Sequence, residues 1–214
     1  PLLASLTPLT LVSPRFFILD RWPSTMVKFV VAGNTVVDIH VEEEPARAGE
    51  GEERAEEARR DGWGSNVSFL SAPIVPSLGG CGAATSWLLA KLGNDVELVS
   101  NLGRDTFGML SKGWLDEAGV RVTPSQESTA VNVIRTRGAQ RASSYYRGRK
   151  VVWQDCARCF PCDWLYMSGY SLVDSEDVRE MADVARLNRS HKIAFDTSPW
   201  FAGRVSAEEM LRVR

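Results

Sequence analysis

The stretch from Leu78 to Gly108 constrains the fold most. It begins with a glycine turn, Gly79-Gly80 with Gly82 close behind. A breaker-free run follows, Ala83 to Lys91, and Gly93-Asn94-Asp95 stops it. Val96 to Val99 has strand character. A second glycine turn, Gly103 to Gly108, then leads into another helical run opened by Asp105. Glycine accepts positive φ and lets another backbone or a ligand come close. Ala84, Trp87, Leu88 and Leu92 recur at helical spacing and predict a buried stripe on the first helix. Leu110, Trp114 and Leu115 do the same for the second. Helices alternating with short apolar strands need a sheet to pack on.

The flanking sequence supplies that sheet. Met26 to Gly33, Asp163 to Gly169 and Lys192 to Asp196 are short apolar runs that read as strands of a mostly parallel sheet. Gly119 to Val122 is a shorter strand, and Asn66 to Val75 has β character as well. Thr129 to Thr136 and Arg141 to Arg147 form a hairpin around Gly138. Ser175 to Leu187 is a helix that Ser175 would cap, with Val178, Met181, Ala182 and Ala185 on its apolar stripe. Ser206 begins another helix. The fold class is therefore α/β.

A length of 214 residues suits one α/β domain, and a net charge of −2 argues against nucleic acid or a membrane surface as partner. No apolar run reaches the roughly 18 residues that span a bilayer. Residues 1–25 do not conform to the domain pattern. They read as sequence upstream of a start at Met26, as a targeting remnant, or as an ordered extension. Residues 42–61 hold nine acids and four arginines and read as a solvated insertion without chemistry. Asn66-Val67-Ser68 would be a glycosylation acceptor only in a secreted chain. The four cysteines suit a reducing compartment. Cys156, Cys159 and Cys162 have a spacing that could bind metal, but a fourth ligand would have to be Cys81, His40 or His191. They are read as incidental thiols, with no metal site.

Several chemistries lack their motif. Gly103 to Gly108 has P-loop glycine spacing, but Met109-Leu110 stands where Lys and Ser/Thr are needed. No G-x-G-x-x-G follows a strand, and neither G-x-S-x-G nor H-E-x-x-H occurs. The remaining polar groups lie at strand ends and glycine turns: Asp38, Gly79-Gly80, Asp105 and Asp196. Carboxylates accept from hydroxyls and glycine amides donate to ring oxygens, so the set suits a neutral, hydroxyl-rich ligand. Each residue taken singly is equally explained as a cap or turn. Six basic residues and no acid lie from Arg135 to Lys150. They attract an anionic ligand or form the solvated face of an exposed hairpin.

This order of residues resembles the ribokinase-like carbohydrate kinases, the PfkB family. The first family signature is similar to Gly79-Gly80, Leu92-Gly93 and Gly103-Arg-Asp105-Thr-Phe107-Gly108. The strand ending at Gly33, with Asp38 beyond it, resembles the family's first strand and its sugar-binding Asp. Asp163 to Tyr170 and Ile193 to Pro199 resemble later strand ends. The resemblance implies a three-layer α/β/α domain over residues 26–214 with a mostly parallel sheet. A small β lid would come from segments near 39–77 and from 129–147. It also implies transfer of phosphate from ATP, with Mg²⁺, to a hydroxyl of a sugar. A nucleoside acceptor and a non-catalytic sugar-binding or scaffold remnant are the alternatives. Asp38, Gly79 and Gly80, with Asn34 beside them, would bind the acceptor. The protein would be cytoplasmic and could dimerise through the lid. Two positions depart from the family pattern: Cys81 stands where a Lys is often found, and Ala84 where the pattern has Asn. The second signature, with its catalytic base and anion hole, is absent from the chain. The expectation is a C-terminally truncated kinase domain with no catalytic residue, inactive by itself.

Overall fold

The computed structural model describes residues 26–43, 70, 72–125, 127–169, 174–187, 192–198 and 203–210. The N-terminal extension, nearly all of the acidic insertion and the glycosylation-like triplet lie outside these residues. The elements are β1 (Lys28–Ala32), β2 (Val36–Glu43), β3 (Val75–Gly79), α1 (Cys81–Lys91), β4 (Asp95–Val99), α2 (Thr106–Ala118) and β5 (Arg121–Val122). They continue with β6 (Ala130–Arg137), β7 (Gln140–Tyr146), a 3₁₀ turn (Trp153–Cys159), β8 (Trp164–Ser168), α3 (Ser175–Leu187), β9 (Lys192–Asp196) and α4 (Ala207–Met210).

The strands form two sheets. The larger has order β5-β4-β1-β8-β9, and every pairing in it is parallel. β1 is central because its side chains are apolar on both faces. Val30 and Ala32 join Leu165, Met167 and helix α3 on one side. Val31 joins Val96, Leu98 and Leu115 on the other, against α1 and α2. Alternation at a period of two thus gives each face its own core and makes three layers. The smaller sheet has order β3-β2-β6-β7. β2 pairs parallel with β6 and antiparallel with β3, and β6–β7 is the hairpin.

Both helices of the opening stretch form, but their buried faces differ from the predicted stripes. On α1 the buried residues are Gly82, Ala83 and Ser86, with Leu89 and Ala90 partly covered. Ala84, Trp87, Leu88 and Leu92 face solvent. The reason is the close approach of α1 to the β1–β2 connection. A Cβ on Gly82 would stand 2.5 Å from the Gly33 carbonyl oxygen, so only the smallest side chains fit that face. On α2, Leu115 and Ser111 are buried, whereas Leu110 is 37% exposed and Trp114 half-buried.

Two further expectations are corrected. Of the segment Asn66 to Val75, where β character was expected, β3 takes up only Val75 among the described residues, and it runs into the glycine turn. Residues 72–74 are irregular and most of the preceding segment lies outside the described residues. Helix α3 is capped by Asp174, not Ser175: the Asp174 carboxylate accepts from the backbone amides of Glu176 and Asp177 at 3.0 and 3.1 Å. The ammonium of Lys150, 2.9 Å away, and these amides hold the Asp174 carboxyl down at about 2. Buried within the same helix start, Asp177 accepts from the Trp153 indole at 3.0 Å. The cysteines Cys156, Cys159 and Cys162 are core residues beneath α3. Burial pushes the Cys159 thiol up to about 12, and a hydrogen bond to Glu97 adds to this. No group of three metal-ligating side chains occurs among the described residues. No helix there is long and apolar enough to cross a membrane.

Candidate functional site

A cavity of about 820 Å³ separates the smaller sheet from the N-terminus of α1. Its walls include Asn34, Asp38, Gly79 and Gly80, the residues the sequence nominated for an acceptor. Strand register explains the arrangement. Partners across a sheet share a face, and Asp38 lies opposite Asn132, which lies opposite Tyr145. Val36 and Asp38 of β2, Asn132 of β6, and Arg141, Ser143 and Tyr145 of β7 therefore all look into the cavity.

The glycines act through space. A Cβ on Gly79 would sit 2.1 Å from Asp38 Oδ2, so the missing side chain is what lets the carboxylate lie where it does. Gly80 has φ +87°, and a Cβ there would meet the Asn34 carbonyl oxygen at 2.4 Å. The Asp38 carboxylate also accepts from Asn132 Nδ2 at 3.0 Å. Asn132 Oδ1 is buried and has no hydrogen-bond partner among the described residues.

Asn34 does a different job from hydroxyl binding alone. Its side-chain oxygen accepts from the Cys81 amide at 3.2 Å, and its carbonyl accepts from Gly82 and Ala83 at 3.1 and 3.3 Å. Helix α1 is thus capped by a residue distant in sequence, and its own N-cap position, Gly80, offers no side chain. The amides at the start of α1, those of Cys81, Gly82 and Ala83, are thus already engaged. Asn34 Nδ2 donates to the Tyr145 hydroxyl at 3.4 Å, joining the helix start to the smaller sheet. Cys81 lines the cavity as well. Burial pushes its thiol pKa up, a hydrogen bond with Ser168 acts in the opposite sense, and Asp196 adds to the rise.

Two residues of the expected polar set are employed elsewhere. Asp105 is the N-cap of α2, accepting from the Gly108 amide at 2.7 Å and the Thr129 amide at 2.8 Å. Burial alone would raise its pKa. The backbone amides of Gly108 and Thr129 and the Thr129 hydroxyl outweigh that and hold it below the ordinary carboxylate range. Asp196 accepts from the Tyr166 hydroxyl at 3.2 Å at the end of β9 and is not among the cavity walls. Asn132, Tyr145, Arg141 and Arg147 were not nominated singly. The signal was the alternation Arg141-x-Ser143-x-Tyr145-x-Arg147, which puts one polar set on one face of a strand.

The second glycine turn is no phosphate cradle. A Cβ on Gly103 would meet the Glu127 carbonyl oxygen at 2.1 Å, and one on Gly108 would meet the Gly103 carbonyl oxygen at 2.0 Å. The turn is filled by its own chain. Together with the missing Lys-Ser/Thr pair, this means that this turn does not fit the phosphates of ATP.

The model of the pfkB family of carbohydrate kinases matches residues 65–207. The chain belongs to this family. The matched span includes both glycine turns and the β6–β7 hairpin, while Asn34 and Asp38 precede it. Solved structures agree on the ribokinase-like fold. Fructokinase from Xylella fastidiosa is 17% identical with a TM-score of 0.61, over 88% of this chain and 59% of that one. Ribokinase from Thermotoga maritima is 17% identical with a TM-score of 0.59, over 87% and 56%. A nucleoside kinase from Methanocaldococcus jannaschii is 18% identical with a TM-score of 0.58, over 88% and 57%. The pfkB chain described here thus spans less than two thirds of the length of these structures. No curated protein matches it.

Proposed function

We propose that this chain forms the acceptor-binding and lid portion of an ATP-dependent carbohydrate kinase that phosphorylates a sugar hydroxyl. The observation that carries this reading is the cavity in which Asp38 and Asn132 face the start of α1. Asp38 presents carboxylate oxygens, acceptors suited to hydroxyl groups, and Asn132 Nδ2 donates to that carboxylate from the same face. The smaller sheet acts as the lid over the acceptor, and dimerisation through it belongs to the same proposal. ATP would supply the phosphoryl group and Mg²⁺ would screen its charge. The second glycine turn, filled by its own chain, offers them no cradle, and no step is derived through them.

The test is calorimetric titration of the chain with ribose, fructose, 2-keto-3-deoxygluconate and adenosine. Binding of a sugar, lost in Asp38→Ala, supports the reading. Preference for adenosine would move the acceptor to the nucleosides, and binding of none would overturn it. With ATP and Mg²⁺ added, the chain alone is expected to release no ADP above the acceptor-free rate.

A further inference from the structure

We infer that the hollow between β4, the β5–β6 connection and the 3₁₀ turn is a second binding site, for a small phosphomonoester that also carries hydroxyl groups. Its volume is about 280 Å³, and it shares no lining residue with the acceptor cavity. The inference stands apart from the acceptor reading.

The chain leaves the smaller sheet where β7 ends, at Tyr146. Gly148 follows at φ +63°, so close to the entry of β6 that a Cβ would stand 2.7 Å from the Ser128 carbonyl oxygen. The basic run divides there. Arg147 lines the acceptor cavity, whereas Arg149 and Lys150 line the second hollow. The 3₁₀ turn adds Arg158. Three cations thus meet two carboxylates, those of Glu97 on β4 and Asp155. Arg121, not itself a wall residue, pairs with Glu97 at 3.6 Å.

The ion pairs decide which cations a ligand could take. Lys150 lies 3.3 Å from Asp177, whose side chain is only 10% exposed, so drawing Lys150 away would strand a buried charge. Arg149 lies 3.6 Å from Glu127, and Arg158 lies 3.3 Å from Asp155. All four of those side chains are at least 41% exposed, and pairs of this kind contribute little. Exchanging Glu127 and Asp155 for a ligand frees two solvated carboxylates and leaves no buried charge unpaired. Charge-assisted bonds from two guanidinium forks to one phosphate are the stronger arrangement.

The rest of the wall sets the ligand class. Glu97 and Asp155 would repel a bare anion, but carboxylates accept from hydroxyl groups. Thr123 and Ser125 also belong to the wall, and their hydroxyls are of the type that donates to phosphate oxygens. Pockets for drug-sized ligands run to roughly 300–1,000 Å³. A hollow below that range suits a phosphorylated polyol of a few carbons and not a nucleotide.

The test is calorimetric titration of the whole chain with glycerol 3-phosphate, inorganic phosphate and glycerol. Glycerol 3-phosphate is expected to bind about tenfold tighter than inorganic phosphate, and glycerol not measurably. Arg149→Gln and Arg158→Gln should each weaken glycerol 3-phosphate about tenfold, with melting temperatures unchanged because both side chains are exposed. Asp38→Ala, in the other cavity, should leave that affinity as it is. Glu97→Gln should strengthen inorganic phosphate and narrow the gap between the two anions. Binding that is lost in Asp38→Ala and spared by the arginine variants would place the ligand in the acceptor cavity and overturn the inference. Equal affinity for the two anions would overturn the ligand class, and no binding of either would overturn the site itself.

Discussion

The two glycine turns that flank α1 and β4 look alike in sequence and do opposite things. At the first, Gly79 leaves room for a side chain, the Asp38 carboxylate, and Gly80 lets the Asn34 backbone carbonyl come close beside the cavity. At the second, Gly103 and Gly108 let the backbone close on itself and on Glu127 to Thr129, leaving no hollow. The helix that follows each turn is capped accordingly. Helix α1 takes its cap from Asn34, across the sheet connection. Helix α2 takes its cap from Asp105 within its own turn, and the same carboxylate anchors the start of β6. Glycine spacing announces close approach. What approaches is decided by the rest of the chain.

The sharpest way to break this contrast is to add one methyl group to each turn. In Gly108→Ala the Cβ would meet fixed backbone atoms, so a loss of about 3 kcal/mol is expected, read as a drop of about 10 °C in thermal melting. In Gly79→Ala the Cβ would meet the movable end of Asp38. There the melting point should fall by only a few degrees, while affinity for the bound sugar drops about tenfold because the carboxylate is displaced. Equal stability losses in the two variants would refute the distinction.

Removing the caps comes next. Asp105→Ala and Asn34→Ala should each cost about 1–2 kcal/mol in denaturant melts. Only Asn34→Ala should also weaken sugar binding, since only that cap faces the cavity.

Acid sharpens the comparison further. The Asp105 pKa is depressed in the folded chain. Its contribution is thus fully present above the ordinary carboxylate pKa, and it is lost as pH falls through the lower, folded value. Asp174, held at about 2, behaves the same way. Stability measured from pH 6 downward should fall below about pH 4. The fall should be shallower in Asp105→Asn and in Asp174→Asn. An unchanged slope in both variants would exclude these caps as its source.

The smallest effect concerns the face of α1 that sequence spacing assigned to the core. Leu88→Gln should change stability by no more than about 0.5 kcal/mol, because that side chain is exposed. A larger loss would mean that this face is covered.

Sequence alone determined much of this protein: the strands β1, β4, β8 and β9, the helices between them, the hairpin and the membership those elements signal. Continuous apolar runs ending in glycine, and helices bounded by caps and breakers, are local patterns that declare themselves. It also nominated Asn34, Asp38, Gly79 and Gly80 together, and these four line one cavity, but it did not show the duties of Asn34 and Gly79. Only the tertiary structure decided which face of α1 is buried, because Gly33 reaches that helix through space and admits nothing larger than small side chains. Only it turned Arg141, Asn132 and Tyr145 into cavity walls. Those assignments depend on which strands pair and in what register, and a shift of one residue would turn every one of those side chains to the opposite face.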